Sequence, residues 1–129
     1  FIVVTADRTD IVIEKIKEAG MKVGIAVKPK TPIEWAYPYA EKVDKILVMT
    51  VEPGIGGQKL IESCLPKCKA VRERFPNVDI QVDGGISVNN IERIAEAGAN
   101  VIVSGTGVFK HPNPADAISA LRKGVQKFN

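Results

Sequence analysis

The sequence predicts a parallel α/β fold, and three observations carry that reading. Five short runs are rich in apolar and β-branched residues, their apolar character is nearly continuous rather than alternating, and helix punctuation stands after each. Continuous apolar runs are the pattern of strands covered on both faces, which parallel sheets require. The runs are Phe1 to Thr5, Lys22 to Val27, Lys45 to Val51, Asp79 to Val82 and Asn100 to Val103. Their starts lie about 21 to 34 residues apart, the spacing of successive β-α units.

The first intervening helix is expected over Asp10 to Gly20, with Ile13, Ile16 and Ala19 at helical spacing and Gly20 as its stop. Thr31-Pro32-Ile33-Glu34 predicts the second, with a capping Thr, a Pro in the first helical position and an acid in the first turn. A third runs over Ser63 to Arg74, where Pro66 is tolerable because it falls in the first turn. Ser87 opens a fourth, with Ile91, Ile94 and Ala95 as its buried stripe and Gly98 as its end. Asn113-Pro114 opens the last, with Ile118, Leu121 and Val125 facing inward.

Two architectures accommodate this βαβαβαβαβα order, and both use right-handed crossovers. An open doubly wound sheet fits 129 residues, whereas a complete (β/α)8 barrel takes about 200 to 250. Phe1 enters a strand directly, as if earlier units preceded it, so a fragment of a barrel is the competing expectation. With no linker or low-complexity stretch, residues 1–129 read as a single domain.

Composition narrows the function. Hydrophobic residues are 45% and charged residues 26%, the values of an ordinary folded domain. No apolar run approaches the roughly 20 residues of a membrane span, and no signal-peptide pattern opens the chain. A net charge of +3, with basic residues scattered among acids and aromatics at 5%, argues against nucleic acid and for a small anionic ligand. Cys64 and Cys68 stand four apart around Pro66, neither a redox pair nor a four-ligand zinc set, so reduced thiols and a cytoplasmic location are expected.

Three features fall at carboxyl ends of strands, where parallel α/β folds build their sites. Gly54, Gly56 and Gly57 follow the third strand, where backbone N–H groups can approach an anion closely. Asp83-Gly84-Gly85 ends the fourth strand, an acid beside two more such positions. Ser104-Gly105-Thr106-Gly107 follows the fifth. Met49 is a core residue or a pocket wall. His111, the only histidine, precedes a proline and reads as a surface residue, which leaves a serine or cysteine nucleophile without a base.

The run Met49–Gln58 (MTVEPGIGGQ) closely resembles ribulose-phosphate 3-epimerases. The likeness continues through Met21–Pro29 (MKVGIAVKP), Val82–Ile86 (VDGGI), Glu96–Asn100 (EAGAN) and Val103–Thr106 (VSGT), in family order and spacing. It implies a parallel (β/α)8 TIM barrel of which this chain is the C-terminal five β-α units, the C-terminal portion of a ribulose-phosphate-binding barrel. The activity implied is interconversion of D-ribulose 5-phosphate and D-xylulose 5-phosphate through an enediolate, in the pentose phosphate pathway. Two carboxylates on opposite faces then exchange the roles of base and acid, and one divalent metal (Zn, Fe, Mn or Co), held by two His and two Asp, stabilises the oxyanion.

On that resemblance Asp83 is both a metal ligand and a proton-transfer residue. Gly54, Ile55, Gly56 and Gly57 match the substrate loop, Gly84, Gly85, Gly105 and Thr106 match further ligand and phosphate contacts, and Met49 matches a pocket wall. The second carboxylate and both histidines belong to units not present in this sequence, which makes catalysis by these residues alone doubtful. A phosphorylated sugar is the expected partner, with no nucleic acid or membrane, and a homo-oligomer is expected. The alternatives are an epimerase of a ketohexose 6-phosphate and a non-catalytic phosphate-binding fragment.

Overall fold

The computed structural model describes residues 1–5, 8–54 and 57–129. Its strands are β1 (Ile2–Val3), β2 (Gly24–Val27), β3 (Lys45–Met49), β4 (Asp79–Asp83) and β5 (Val101–Val103). All four pairings are parallel, and the order across the sheet is β1-β2-β3-β4-β5. This order decides between the two architectures. A doubly wound sheet needs a point where strand order reverses so that helices reach both faces. Strands laid down in sequence order with right-handed crossovers put every connection on one face, the arrangement of a barrel wall.

Burial follows that asymmetry. Ile25, Val27, Ile46, Val48, Ile80 and Val82, alternate residues of the three central strands, have no exposure at all and share one apolar cluster with Ile13, Val71, Ile94 and Leu121 of the helices. Ala26 and Leu47, which alternation turns to the other face, are buried but lie outside that cluster. Val3 and Val103 on that second face are 41% and 38% exposed. Side chains elsewhere in a barrel normally fill the interior against such a face.

The helices are α1 (Thr9–Glu18), α2 (Leu65–Arg74), α3 (Ile91–Glu96), α4 (Thr106–Phe109) and α5 (Pro114–Gln126). Three differ from the expectation. The second predicted helix is a 3-10 segment, Ile33–Tyr39, without a side-chain cap from Thr31. Pro38 lies inside it and cannot donate to a helical ladder. The fourth starts at Ile91 because Ser87–Asn90 form a turn, in which the Asn90 side chain accepts from Ser87 N at 2.9 Å. The fifth is capped by Asn113 as expected, its side chain accepting from Asp116 N, but Ile118 is 42% exposed while Ala117 takes the inward position. Pro66 does stand in the first turn of α2. The short α4 had no sequence signal.

Two long cations stitch the layers. Lys67 Nζ donates to the carbonyls of Lys28, Pro29 and Thr31, fixing the loop that leaves β2. Arg72 donates to the carbonyls of Gly98, Pro76 and Val78, tying the entries of β4 and β5 at the opposite edge. No helix among the described residues is long and apolar enough to cross a membrane.

β1 and β5 each have a neighbour on one side only, and an unpaired parallel edge is a template for further pairing. Prepared as the 129-residue chain alone, the protein should self-associate, read by size exclusion with light scattering. A monodisperse monomer with one cooperative melting transition would contradict this.

Candidate active site

The parallel register sets three strand ends side by side. Met49 of β3 pairs with Asp83 of β4, and Asp83 pairs with Val103 of β5. All three line one cleft of about 420 Å³ at the carboxyl edge of the sheet. The loops after these strands complete it: Glu52–Gly54 and Gly57, then Gly84–Ile86, then Ser104–Gly107. Of the residues singled out from sequence, Met49, Gly54, Gly57, Asp83, Gly84, Gly85, Gly105 and Thr106 all meet here. Ile55 and Gly56 lie outside the described residues.

Asp83 is exposed, and its carboxylate has no hydrogen-bond or ion-pair partner among the described residues. No lysine or arginine is among the described lining residues; Asp83 and Glu52 are the charged side chains there. The donors the cleft offers an anion are therefore neutral, the loop amides and the Thr106 hydroxyl. The amides of Gly85, Ile86, Gly105, Thr106 and Gly107 meet no acceptor among the described residues.

The turn between β4 and α3 demands its glycines. Gly84 and Gly85 have φ of 127° and 73°, the left-handed side that other residues avoid. A Cβ on Gly84 would enter the Val51 side chain, and one on Gly85 would strike the backbone of Lys59 and Leu60. The space at Gly85 thus belongs to the neighbouring loop, and added bulk there collides with protein before it meets a ligand. Gln58 Nε2 donates to the Glu52 carbonyl at 2.8 Å, closing the ends of the glycine loop.

Sequence reading missed Thr50. It is fully buried at the end of β3, and its hydroxyl donates to the Gly84 carbonyl at 2.7 Å. Ser104 stands in a motif that was read, yet its hydroxyl bond to the Ile86 carbonyl, at 2.7 Å, was not foreseeable. Both thiols are buried: burial pushes Cys64 up from its ordinary range, and burial with the neighbouring Cys64 pushes Cys68 up to about 12. His111 is partly exposed in a loop, its Nδ1 accepting from Asn113 N at 3.0 Å. No three His, Cys, Asp or Glu side chains converge among the described residues. Asp83 offers one metal ligand, and the set present does not by itself hold a divalent ion.

Fold and cleft together define a TIM-barrel-type chain with a glycine-rich site at the carboxyl edge of its strands. The 3-hexulose-6-phosphate synthase of Salmonella typhimurium shares the fold at a TM-score of 0.70 and 21% identity, over 98% of this chain and 61% of that one. The model of the ribulose-phosphate 3 epimerase family matches residues 2–109, and the chain belongs to that family. The ribulose-phosphate 3-epimerase of Schizosaccharomyces pombe is 50% identical over 116 residues, 90% of this chain and 51% of that protein. The cytoplasmic isoform of Oryza sativa subsp. japonica is 44% identical over 126 residues, 95% of this chain and 55% of that protein. The chain spans about half the length of these relatives.

Gly85→Ala combines a strained φ with a backbone collision, and should lower stability by on the order of 2 to 4 kcal/mol in a denaturant titration. An unchanged midpoint would show that the turn relaxes. Cys68 should resist iodoacetamide at about pH 8 in the folded state and react once unfolded, since the thiolate is the nucleophile. Its raised pKa favours the folded state fully below the unfolded thiol value, and that contribution fades as pH rises toward about 12. Mass spectrometry of the alkylated chain reads the first effect.

Proposed function

We propose that this chain carries the substrate-binding half of a ribulose-phosphate 3-epimerase, acting on D-ribulose 5-phosphate and D-xylulose 5-phosphate in the pentose phosphate pathway. Family membership supports the reaction class, and one observation carries the site: in a single cleft, Asp83 and a set of loop amides beside it have no hydrogen-bond partner among the described residues. Phosphate is negative and is satisfied by converging N–H groups; a C3 hydrogen next to a ketone needs a carboxylate of free access. The arrangement offers both in one cleft.

In this reading the amides of Gly85, Ile86, Gly105 and Thr106 bind the phosphate, and Gly54 and Gly57 line the cleft on the sugar's side. Met49, on the strand beside Asp83, walls the apolar side of the carbon chain. Asp83 takes the C3 proton, the C–H electron pair becomes the C2–C3 π bond while the carbonyl π pair moves onto its oxygen, and an enediolate results. Return of a proton to the opposite face of C3 inverts the centre. That second acid, and the further ligands that a divalent ion (Zn, Fe, Mn or Co) would need beside Asp83, come from outside the described residues. When bound, such an ion would supply positive charge to the developing enediolate oxygens.

The proposal extends to a cytoplasmic, homo-oligomeric enzyme that engages neither nucleic acid nor membrane. Asp83→Asn in the complete barrel removes the proton acceptor while leaving the loops intact. Loss is expected mainly in kcat, by a factor of about 10² to 10⁴, with little change in KM. Exchange of the C3 hydrogen with solvent deuterium should fall with it from one face. Near-normal epimerisation by the variant would falsify the role.

A further inference from the structure

The turn that carries the Gly85 and Ile86 amides is held in an unusual way. Three successive carbonyls, those of Gly84, Gly85 and Ile86, each accept from a side chain on a different element. Thr50 Oγ1, at the end of β3, donates to Gly84 O at 2.7 Å. Asn90 Nδ2, at the start of α3, donates to Gly85 O at 2.8 Å. Ser104 Oγ, after β5, donates to Ile86 O at 2.7 Å. The following amide, Ser87 N, is taken by Asn90 Oδ1 at 2.9 Å.

We infer that Thr50 and Asn90 are positioning residues that aim the Gly85 and Ile86 amides into the cleft, with Ser104 locking the exit of the turn. The inference rests on the phosphate-site reading above, and its warrant is geometric. A trans peptide is planar with its C=O and N–H opposed, so fixing the Gly84 carbonyl fixes the Gly85 N–H on the other side. Fixing the Gly85 carbonyl does the same for Ile86 N–H. Thr50 is fully buried, and alternation turns it to the face opposite Met49, so the carbonyl it holds points away from the sheet face that Met49 and Asp83 share. Neither amide has an acceptor among the described residues.

Such pins are needed because of the glycines themselves. With φ of 127° and 73° and no Cβ, the Gly84–Gly85 peptide has little intrinsic barrier against turning over, which would present a carbonyl to the anion in place of an amide. A cleft whose described lining has no lysine or arginine depends on how its amides are directed. The hydroxyl of Thr50 therefore acts on affinity for phosphate through a peptide plane, without touching the ligand.

The test is a titration of the ¹⁵N-labelled complete barrel with inorganic phosphate, following the Gly85 and Ile86 amides. Thr50→Val keeps the shape and removes the donor. It should weaken phosphate about tenfold, whereas Thr50→Ser, which keeps the hydroxyl, should stay within about twofold. For the sugar phosphate, Thr50→Val should raise KM by a similar factor and hold kcat within a few-fold, a split that general loss of stability does not produce. Should Thr50→Val fail to fold, Asn90→Leu asks the same question through the Gly85 carbonyl, with the same expected loss. No shift at these amides in the unsubstituted protein overturns the inference and the phosphate-site reading together. Binding that is normal there and equally strong in the variants overturns the inference alone.

Discussion

Strand order is the constraint on which the rest depends. Because β1 to β5 lie in sequence order and all run parallel, each crossover repeats the same step in the same sense. Every helix is then delivered to one face and every carboxyl end to one edge. The first consequence explains why one set of alternate residues, Ile25 to Val82, is sealed while Val3 and Val103 on the other set remain partly open. The second places Met49, Asp83 and Val103 in one register row, although Met49 and Asp83 are separated by a whole β-α unit. A site made of strand ends is thus a result of topology before any side chain is chosen.

Given that row, the chemistry follows from what each strand end carries. β4 ends in an acid, and the loops after β3, β4 and β5 bring Gly54 and Gly57, Gly84 and Gly85, and Gly105 and Gly107 to the cleft. The cleft holds acids and amides and has no basic side chain among its described lining. On the proposed reading, that combination would hold an anion without a cation that would pair with Asp83 and draw off its basicity. The cost is directional precision. Amides are useful only when aimed, and glycine-rich loops are the least able to aim them unaided, so neighbouring elements hold the carbonyls.

The legible parts of the sequence were those governed by local rules. The five strands appeared as apolar runs, Pro66 and Asn113 marked helix starts correctly, and Asp83 with its two glycines stood out because few residue types tolerate that turn. Expectations failed where a nearby residue overrides the expected cap or where the deciding partner is remote in sequence. Thr31 does not cap, and Pro38 leaves the segment after β2 as a 3-10 turn. Ser87 does not open a helix because Asn90 reaches back to it and to Gly85. Thr50 looked like one more residue in an apolar run, and only contact with a carbonyl 34 positions away gives it a role. The barrel itself was not decidable from periodicity, because both architectures share the same βα rhythm and differ only in strand order.

Strand order also bears on why Asp83 is the one acid among the strand ends that line this cleft. Inverting a carbon centre through a planar enediolate requires groups on its two opposite faces. Strand ends on a single arc approach a bound ligand from the same side, since their register row is continuous from Met49 to Val103. A ligand whose phosphate is held by the β4 and β5 loops presents one face to Asp83 and turns the other toward the open centre of the sheet. On the proposed reading, the opposing group must reach in from across that centre, which none of the five strands described can do. A parallel barrel satisfies this by geometry: residues on facing strands are opposed across the interior, so placing two carboxylates on separate halves of the wall is the direct way to flank a planar intermediate.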